Sequence, residues 1–529
     1  MTNDITKSTA IESKHSTIAV ENDHGKEGVE HTLEEAIEAT KIGKYQVILI
    51  VASGLSILGA SIENVGISMI LPYIKCDMRP TLAEMGVLSS VSFLGIVSTS
   101  FLWGLLLDTW GRKKVLCSAA FLGFAFSFPS AFATNTSLLI FLRFLAGAFL
   151  AGCTAGSYSY VSEFHTSKTA PRAVACSSIF LSGLMVFIAT MALLILPMDF
   201  TWQIYSLNFK PWRLFLICNS LINLMNGIIF AILPESPKFL LAINQHEKAL
   251  QILKRIYAFN TGLPKQSYPV ERIKSESIGG NSLAGTKGFC NIIRYLWCQT
   301  KPIFLPPLLT HTWKLCFLFF VLFAIGHGTF MWFPDFLVQL QNYKGPPEIL
   351  CKIVEPKTNS GENDFEICDT LDNKNTTSYQ IMLGIGVFFM LTGAISSYLL
   401  KKISPKKIVG VWIVISSSCC LAINFFTDFK AIVSSFILFV SSCSCANIVM
   451  SVAVNLYPTQ YKGMASATIL MFGRLGGFFG SNLVGVLLST MCTMIFYANG
   501  TLLISCIFIF MTIKSSDKSA NKSKVSDSS

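Results

Sequence analysis

Twelve apolar runs, each about 20 residues long and so able to cross a bilayer as a helix, punctuate the 529-residue chain. They fall near 46–70, 84–107, 115–134, 137–160, 173–197 and 212–233, and again near 312–338, 379–400, 408–427, 431–456, 465–488 and 491–513. Lipid offers the backbone no hydrogen-bond partner, so these runs imply an all-α polytopic membrane protein. Only 13% of the residues are charged and the mean hydropathy is +0.55, which excludes a soluble multidomain protein built from one-sided helices. The surplus charge of +11 lies between the runs and forms no aromatic-interleaved patch, so no nucleic-acid partner is expected. With both termini cytosolic, about 29 of the 41 Lys and Arg lie on the cytosolic side, about 9 outside and about 3 within spans. The reverse orientation inverts that ratio.

The expected organisation is a cytosolic tail at 1–44, six spans in 45–233, a cytosolic middle loop at 234–311, six spans in 312–513 with an outer loop at 339–378, and a cytosolic tail at 514–529. The first residues carry Glu21, Asp23, Glu27 and Glu30 and no early apolar core. No cleavable signal peptide is expected, and the first span serves as the targeting signal. Thr32 and Glu35 fit a capping box ahead of Ala36, Ile37 and Ala39, which predicts a short helix lying on the membrane surface. In the middle loop, Pro237 to Tyr257 reads as an amphipathic helix with Leu240, Ile243, Leu250 and Leu253 on one side.

The tight turn after span 2 carries Gly104, Asp108, Gly111, Arg112, Lys113 and Lys114. Gly111 permits the reversal and the cations hold the turn in the cytosol. This spacing closely resembles the signature loop between helices 2 and 3 of the major facilitator superfamily. The resemblance implies two pseudo-symmetric six-helix halves around a central path. The stretch from Thr32 to Gln46, and Trp332, Phe333 and Pro334 in span 7, further resemble the synaptic vesicle glycoprotein and organic-ion transporter relatives within it. In sugar and organic-ion members, residues matching Arg112, Glu163, Arg172 and Glu235 form an ionic network that latches the two halves. The implication here is that Arg112 and Arg172 pair with Glu163 and Glu235; solvated charges at helix ends are the competing reading.

Glu63 reads as the only acid well within a span, roughly 26 Å from Gln46 by the helical rise. A carboxylate there costs about 2.5–3.5 kcal/mol or more, so it should face a cavity where the halves meet, carry a proton or meet a cation. A substrate or proton site and a structural pairing with Arg143 both remain open. Arg143 lies about 9 Å into span 4 and Arg474 about 13 Å into span 11, the latter an alternative partner of Glu63. Arg143 with Gly147 also resembles the superfamily's span-4 motif, in which the arginine is linked to proton coupling. His327 could shuttle protons or sit as a satisfied core residue. Trp332 could cover an organic cation or belong to an interfacial belt. Asn219, Asn223 and Asn226 recur at helical spacing, and Asn447 and Asn455 lie on span 10; such amides bind solute or glue helices, and Asn226 and Asn447 are taken into the candidate site.

Most of the sixteen cysteines lie inside apolar runs. Cys351 and Cys368 flank the outer loop, and a bond between them closes about 18 residues, worth on the order of 3 kcal/mol; Cys76 is a competing partner. Asn375 is the sequon best placed for glycosylation. The chain carries no Walker loop, zinc spacing or catalytic triad, so no enzyme activity, metal or cofactor is expected. The expected function is secondary transport of a small organic, ionic solute by alternating access, with proton or cation coupling, by a monomer in a plasma or vesicle membrane. The alternative is a non-transporting scaffold or regulator of vesicle traffic on the same fold.

Overall fold

The computed structural model describes residues 30–204, 207–274, 297, 300–343, 345–354, 376–400, 402–458 and 461–513. Cys368 and Asn375 lie outside the described residues. The first half begins with β1 (Glu30–His31) and α1 (Leu33–Ala39). Its spans are α2 (Lys44–Met78), α3 (Leu82–Thr109), α4 (Arg112–Ser130), α5 (Thr136–Ser162), the pair α6 (Ala170–Ser182) and α7 (Leu184–Ile195), and α8 (Pro211–Ile232). A hairpin of β2 (Trp202–Ile204) and β3 (Leu207–Phe209) joins α7 to α8. The linker holds α9 (Pro237–Ala242), α10 (His246–Thr261) and β4 (Arg272–Ile273), which pairs in parallel with β1. In the second half come α11 (Leu309–Phe330) and α12 (Phe333–Asn342), α13 (Leu350–Val354), α14 (Thr377–Leu399), α15 (Pro405–Ala422), α16 (Phe429–Val440) and α17 (Cys443–Leu456). The last helix, α18 (Lys462–Met511), breaks at Met491 into two spans.

Among the described residues 11 helical segments are long and apolar enough to cross a membrane. The remaining run is α4, whose 19 residues open with Arg112, Lys113 and Lys114 and are diluted by them; it packs between α5 and α8 as a span would. The protein is a multi-pass, all-α membrane protein. The α3–α4 turn marks the basic end of the bundle and the β2–β3 hairpin the opposite, far end.

Local chemistry sets the helix starts. Thr81 caps α3 by accepting from the Glu84 amide, and Glu84 accepts the Thr81 amide in return. Asn135 caps α5 at the Leu138 amide. Close packing follows from small residues: a Cβ on Gly147 would run into the Ser92 carbonyl, and one on Gly476 into the Phe320 carbonyl. The backbones of α3 and α5, and of α11 and α18, therefore approach as only glycine allows.

The two halves touch toward the far end. Ser89 of α3 bonds Ser481 of α18 at 2.6 Å, and Asn482 donates to Ser90 at 2.9 Å. Tyr73 of α2 meets Tyr379 of α14 through their hydroxyls. Gly386 of α14 lies against the α7 backbone at Met185 and Val186. Along α3, the residues from Leu88 to Phe93 are buried, whereas Phe101 and Leu102, nearer the basic end, are exposed.

The expected capping box at Thr32 and Glu35 is present. Its helix does not lie alone on the membrane surface, because α10 offers it an apolar face: Ala36 and Ile37 pack with Leu253, Tyr257 and Tyr268. The Asn260 side chain donates to the Thr40 and Lys41 carbonyls and accepts the Tyr45 amide, tying the linker to the start of α2.

The expected Cys351–Cys368 bond is not the one formed. Cys351 is bonded to Cys492, with Cα atoms 5.5 Å apart, and Cys76 is also disulfide-bonded. The short helix α13 folds back onto α18 at its break, which brings together two cysteines 141 residues apart. Cys492, inside an apolar run, reads from sequence as a small hydrophobe. Peptide mapping without reductant should recover Cys351 joined to Cys492. Cys492→Ala should lower the melting temperature by an amount corresponding to at most about 5 kcal/mol, since bilayer-threaded spans already restrict the unfolded chain. An unlinked Cys351 peptide would contradict this.

Candidate functional site

Four helices of the first half converge on Glu63. Arg143 from α5 pairs with Oε2, Ser127 from α4 donates to Oε1 at 2.6 Å, and Asn223 from α8 donates to Oε1 at 3.3 Å. Glu63 and Arg143 are each 1% exposed. The carboxylate is thus sealed inside the first half, not set where the two halves meet. The reason lies in helix phase. Gly59 and Gly66 flank Glu63 on one face of α2, and that face is turned to α8, where a Cβ on either glycine would press on Asn223, Asn226 or Asn219. Asn226 is buried and donates to the Leu55 carbonyl at 3.1 Å, so it joins α8 to α2. A buried pair of this kind has its desolvation offset only while both partners stay matched.

At the basic end the charges form a compact network, again within the first half. Arg112 donates from Nε to Glu163 at 2.9 Å, from one terminal nitrogen to the Leu107 carbonyl, and from the other to Asp108 at 3.0 Å. Among the described residues Glu235 meets no arginine; it accepts the Lys113 and Ser236 amides, each at 2.9 Å. Gly111 sits at φ 105° and a Cβ there would strike the Glu235 carboxylate and the Phe239 ring, so glycine serves both the turn and the approach of the acid. His165 is buried beside Glu163 in sequence, and burial pushes its imidazole below the usual range, so it adds no cation near neutral pH. Two expectations fail here. Arg172, at the start of α6, is exposed and pairs with neither Glu163, which meets Arg112, nor Glu235, which takes the Lys113 and Ser236 amides. The network spans no seam between halves, since all its members belong to the first six spans and the linker behind them.

The face between the halves carries different residues. Trp332 is fully buried and its indole donates to the Ser481 carbonyl at 3.0 Å, holding the serine that meets Ser89. It therefore supports the far-end seam. His327 stacks on Phe323 with centroids 4.5 Å apart and meets Phe93 of α3 edge-on. Arg474 lies two turns before Ser481 on α18, so it shares the face turned to the first half, about 10.5 Å nearer the basic end. It is half-buried and has no hydrogen-bond or ion-pair partner among the described residues. Glu63 is not its partner. Asn447 on α17 is exposed.

Several residues had no signal in the sequence. Arg213, 2% exposed, donates to the Ala131 and Ala133 carbonyls at 2.9 and 2.8 Å and to Asp77 at 3.2 Å, which Lys210 also meets at 3.1 Å. These bonds clamp the far ends of α2, α4 and α8. Asp335 on α12, an acid inside the run 312–338 that the sequence reading passed over, is buried like Glu63 and Glu163 and accepts from Gln339, one turn along its own helix, at 2.7 Å. Only long-range packing reveals the partners of Arg213.

Removing Arg112 leaves the buried Glu163 carboxylate without its cation. Arg112→Ala should lower stability by about 3 kcal/mol, read as a thermal shift of the purified protein. Arg172→Ala should leave it unchanged, and equal effects of the two would refute the network as described.

Comparison with known proteins agrees with this architecture. The family model described as Major Facilitator Superfamily matches residues 49–354 and 370–528. Synaptic vesicle glycoprotein 2B of Mus musculus is 27% identical over 333 residues, 60% of this chain and 49% of that protein. Synaptic vesicle glycoprotein 2C of Homo sapiens is 27% identical over 317 residues, 57% of this chain and 44% of its own length. The matched stretch thus spans about half the length of these relatives or less. Among solved structures, the partially occluded, inward-open xylose transporter XylE of E. coli aligns with a TM-score of 0.60 at 13% identity, covering 89% of this chain and 98% of that one. A bacterial homologue of the human lysosomal transporter Spinster, inward-facing and unoccupied, aligns with a TM-score of 0.60 at 10% identity, over 88% and 96% of the two chains. Matched by the family model along most of its length and sharing the fold of solved transporters, the chain belongs to the major facilitator superfamily.

Proposed function

We propose that this protein carries a small organic anion across a plasma or vesicle membrane together with a proton, by rocking one half against the other, with both termini in the cytosol. The observation that carries the reading is Arg474. It is a cation on the face between the halves, without a partner among the described residues, and an unmatched charge in that position is costly unless a ligand of opposite sign completes it. Glu63 is enclosed in the first half, so a proton reaches it and a solute does not. The far-end contacts at Ser89, Ser481, Tyr73 and Tyr379, with an exposed run on α3 near the basic end, suit the inward-facing member of an alternating pair.

The printed names of the relatives, synaptic vesicle glycoproteins, favour a second reading, a non-transporting scaffold in a vesicle membrane. The full chain in liposomes should take up a subset of a panel of organic anions and cations, presented with and without a proton gradient, and that subset should be anionic. Arg474→Gln should lower anion uptake at least about tenfold, and Glu63→Gln should abolish accumulation driven by the gradient while exchange continues. Uptake of cations, or an Arg474→Gln variant as active as wild type, would overturn the anion reading. No uptake of any solute would favour the scaffold.

A further inference from the structure

The two oxygens of Glu63 have different kinds of neighbour. Oε2 meets Arg143, whose guanidinium can only donate. Oε1 accepts from the Ser127 hydroxyl and the Asn223 carboxamide, and each of these groups donates or accepts according to how it is turned. Asn223 is fully buried and its Oδ1 has no partner among the described residues. The amide thus holds an acceptor that the present state does not use. Asn219 and Asn226, a turn away on either side along the same face of α8, carry unpartnered buried amide atoms as well. Orphaned buried amides are costly, and three on one face beside a buried carboxylate point to a second arrangement in which such atoms are used.

We propose that Glu63 takes up its proton on Oε1 and that Asn223 turns its amide over to accept it. This rests on the reading of Glu63 as the coupling carboxylate. One proton passes from hydronium to the carboxylate: an O–H bond of hydronium breaks, an O–H bond to Oε1 forms, water is left, and the pair with Arg143 passes from neutral to a single positive charge. Among the described residues, Arg143 on α5 is the charged group bonded to Glu63; α4 and α8 present the neutral Ser127 and Asn223, and α2 brings no other titratable group to these oxygens. Arg143 keeps Oε2 throughout. Asn223 is therefore a positioning residue that keeps Glu63 satisfied in both protonation states.

Infrared difference spectra of the full chain in liposomes, mildly acidic minus mildly alkaline, test this directly. The expected spectrum contains a carboxylic acid band that disappears in Glu63→Gln and an asparagine amide change that disappears in Asn223→Leu. Asn223→Leu should also move the Glu63 acid band to higher wavenumber, through loss of its acceptor. Asn223→Ser, which keeps a group able to donate or accept, should leave that band close to its wild-type position, and thermal unfolding checks that each variant is folded. An acid band unmoved in folded Asn223→Leu, with no amide change in wild type, overturns the turnover of Asn223 while leaving Glu63 as the proton site. Absence of any band lost in Glu63→Gln overturns both.

Discussion

The ion pair of Glu63 and Arg143 is the constraint around which the first half is arranged. Two charges that are 1% exposed can be kept only where every helix nearby supplies something to them. Gly59 and Gly66 bring α2 against the asparagines of α8, Ser127 reaches in from α4, and Gly147 seats α5 on α3 one turn from Arg143. The pair is no large source of net stability, because its attraction is offset by desolvation. Its consequence is conditional: as long as both partners are charged the four helices fit, and a change of protonation alters the balance for all of them.

The halves divide the electrostatic work. In the first half the charges are matched in place, Glu63 with Arg143, Arg112 with Glu163 and Asp108, and Arg213 and Lys210 with Asp77. That half carries clamps at both ends and a pair in the middle. The second half brings a cation to the seam at Arg474, and seals the far end through serines, tyrosines and a buried tryptophan, groups that make and break hydrogen bonds at little cost. A seam of neutral bonds is suited to opening, and a matched network to holding a body together.

Much of the fold was legible in the sequence because its signals are local. Apolar runs of spanning length, the capping box at Thr32, and the glycines and cations of the α3–α4 turn each act over a few residues. The place of Glu63 along its span was readable too, but not the direction it faces, which depends on Gly59 and Gly66 meeting the asparagines of the distant α8. Cys492 was hidden for the same reason, lying in an apolar run until α13 folds over it. Arg172 misled in the opposite way. Its resemblance to a family position said nothing of the partners that Glu163 and Glu235 take. The role of Arg213 rests on carbonyls, which leave no trace in side-chain patterns at all.

Distances between spin labels report whether the buried pair governs how the halves meet. One pair of labels, at Ala83 and Thr490, brackets the far end, and a second, at Lys168 and Lys402, brackets the basic end. On acidification the two distances should change in opposite senses in the otherwise wild-type protein, and Glu63→Gln should hold both at their acidic values at every pH. Distances that ignore pH and are the same in Glu63→Gln would contradict the account, leaving the pair as a static brace within one half.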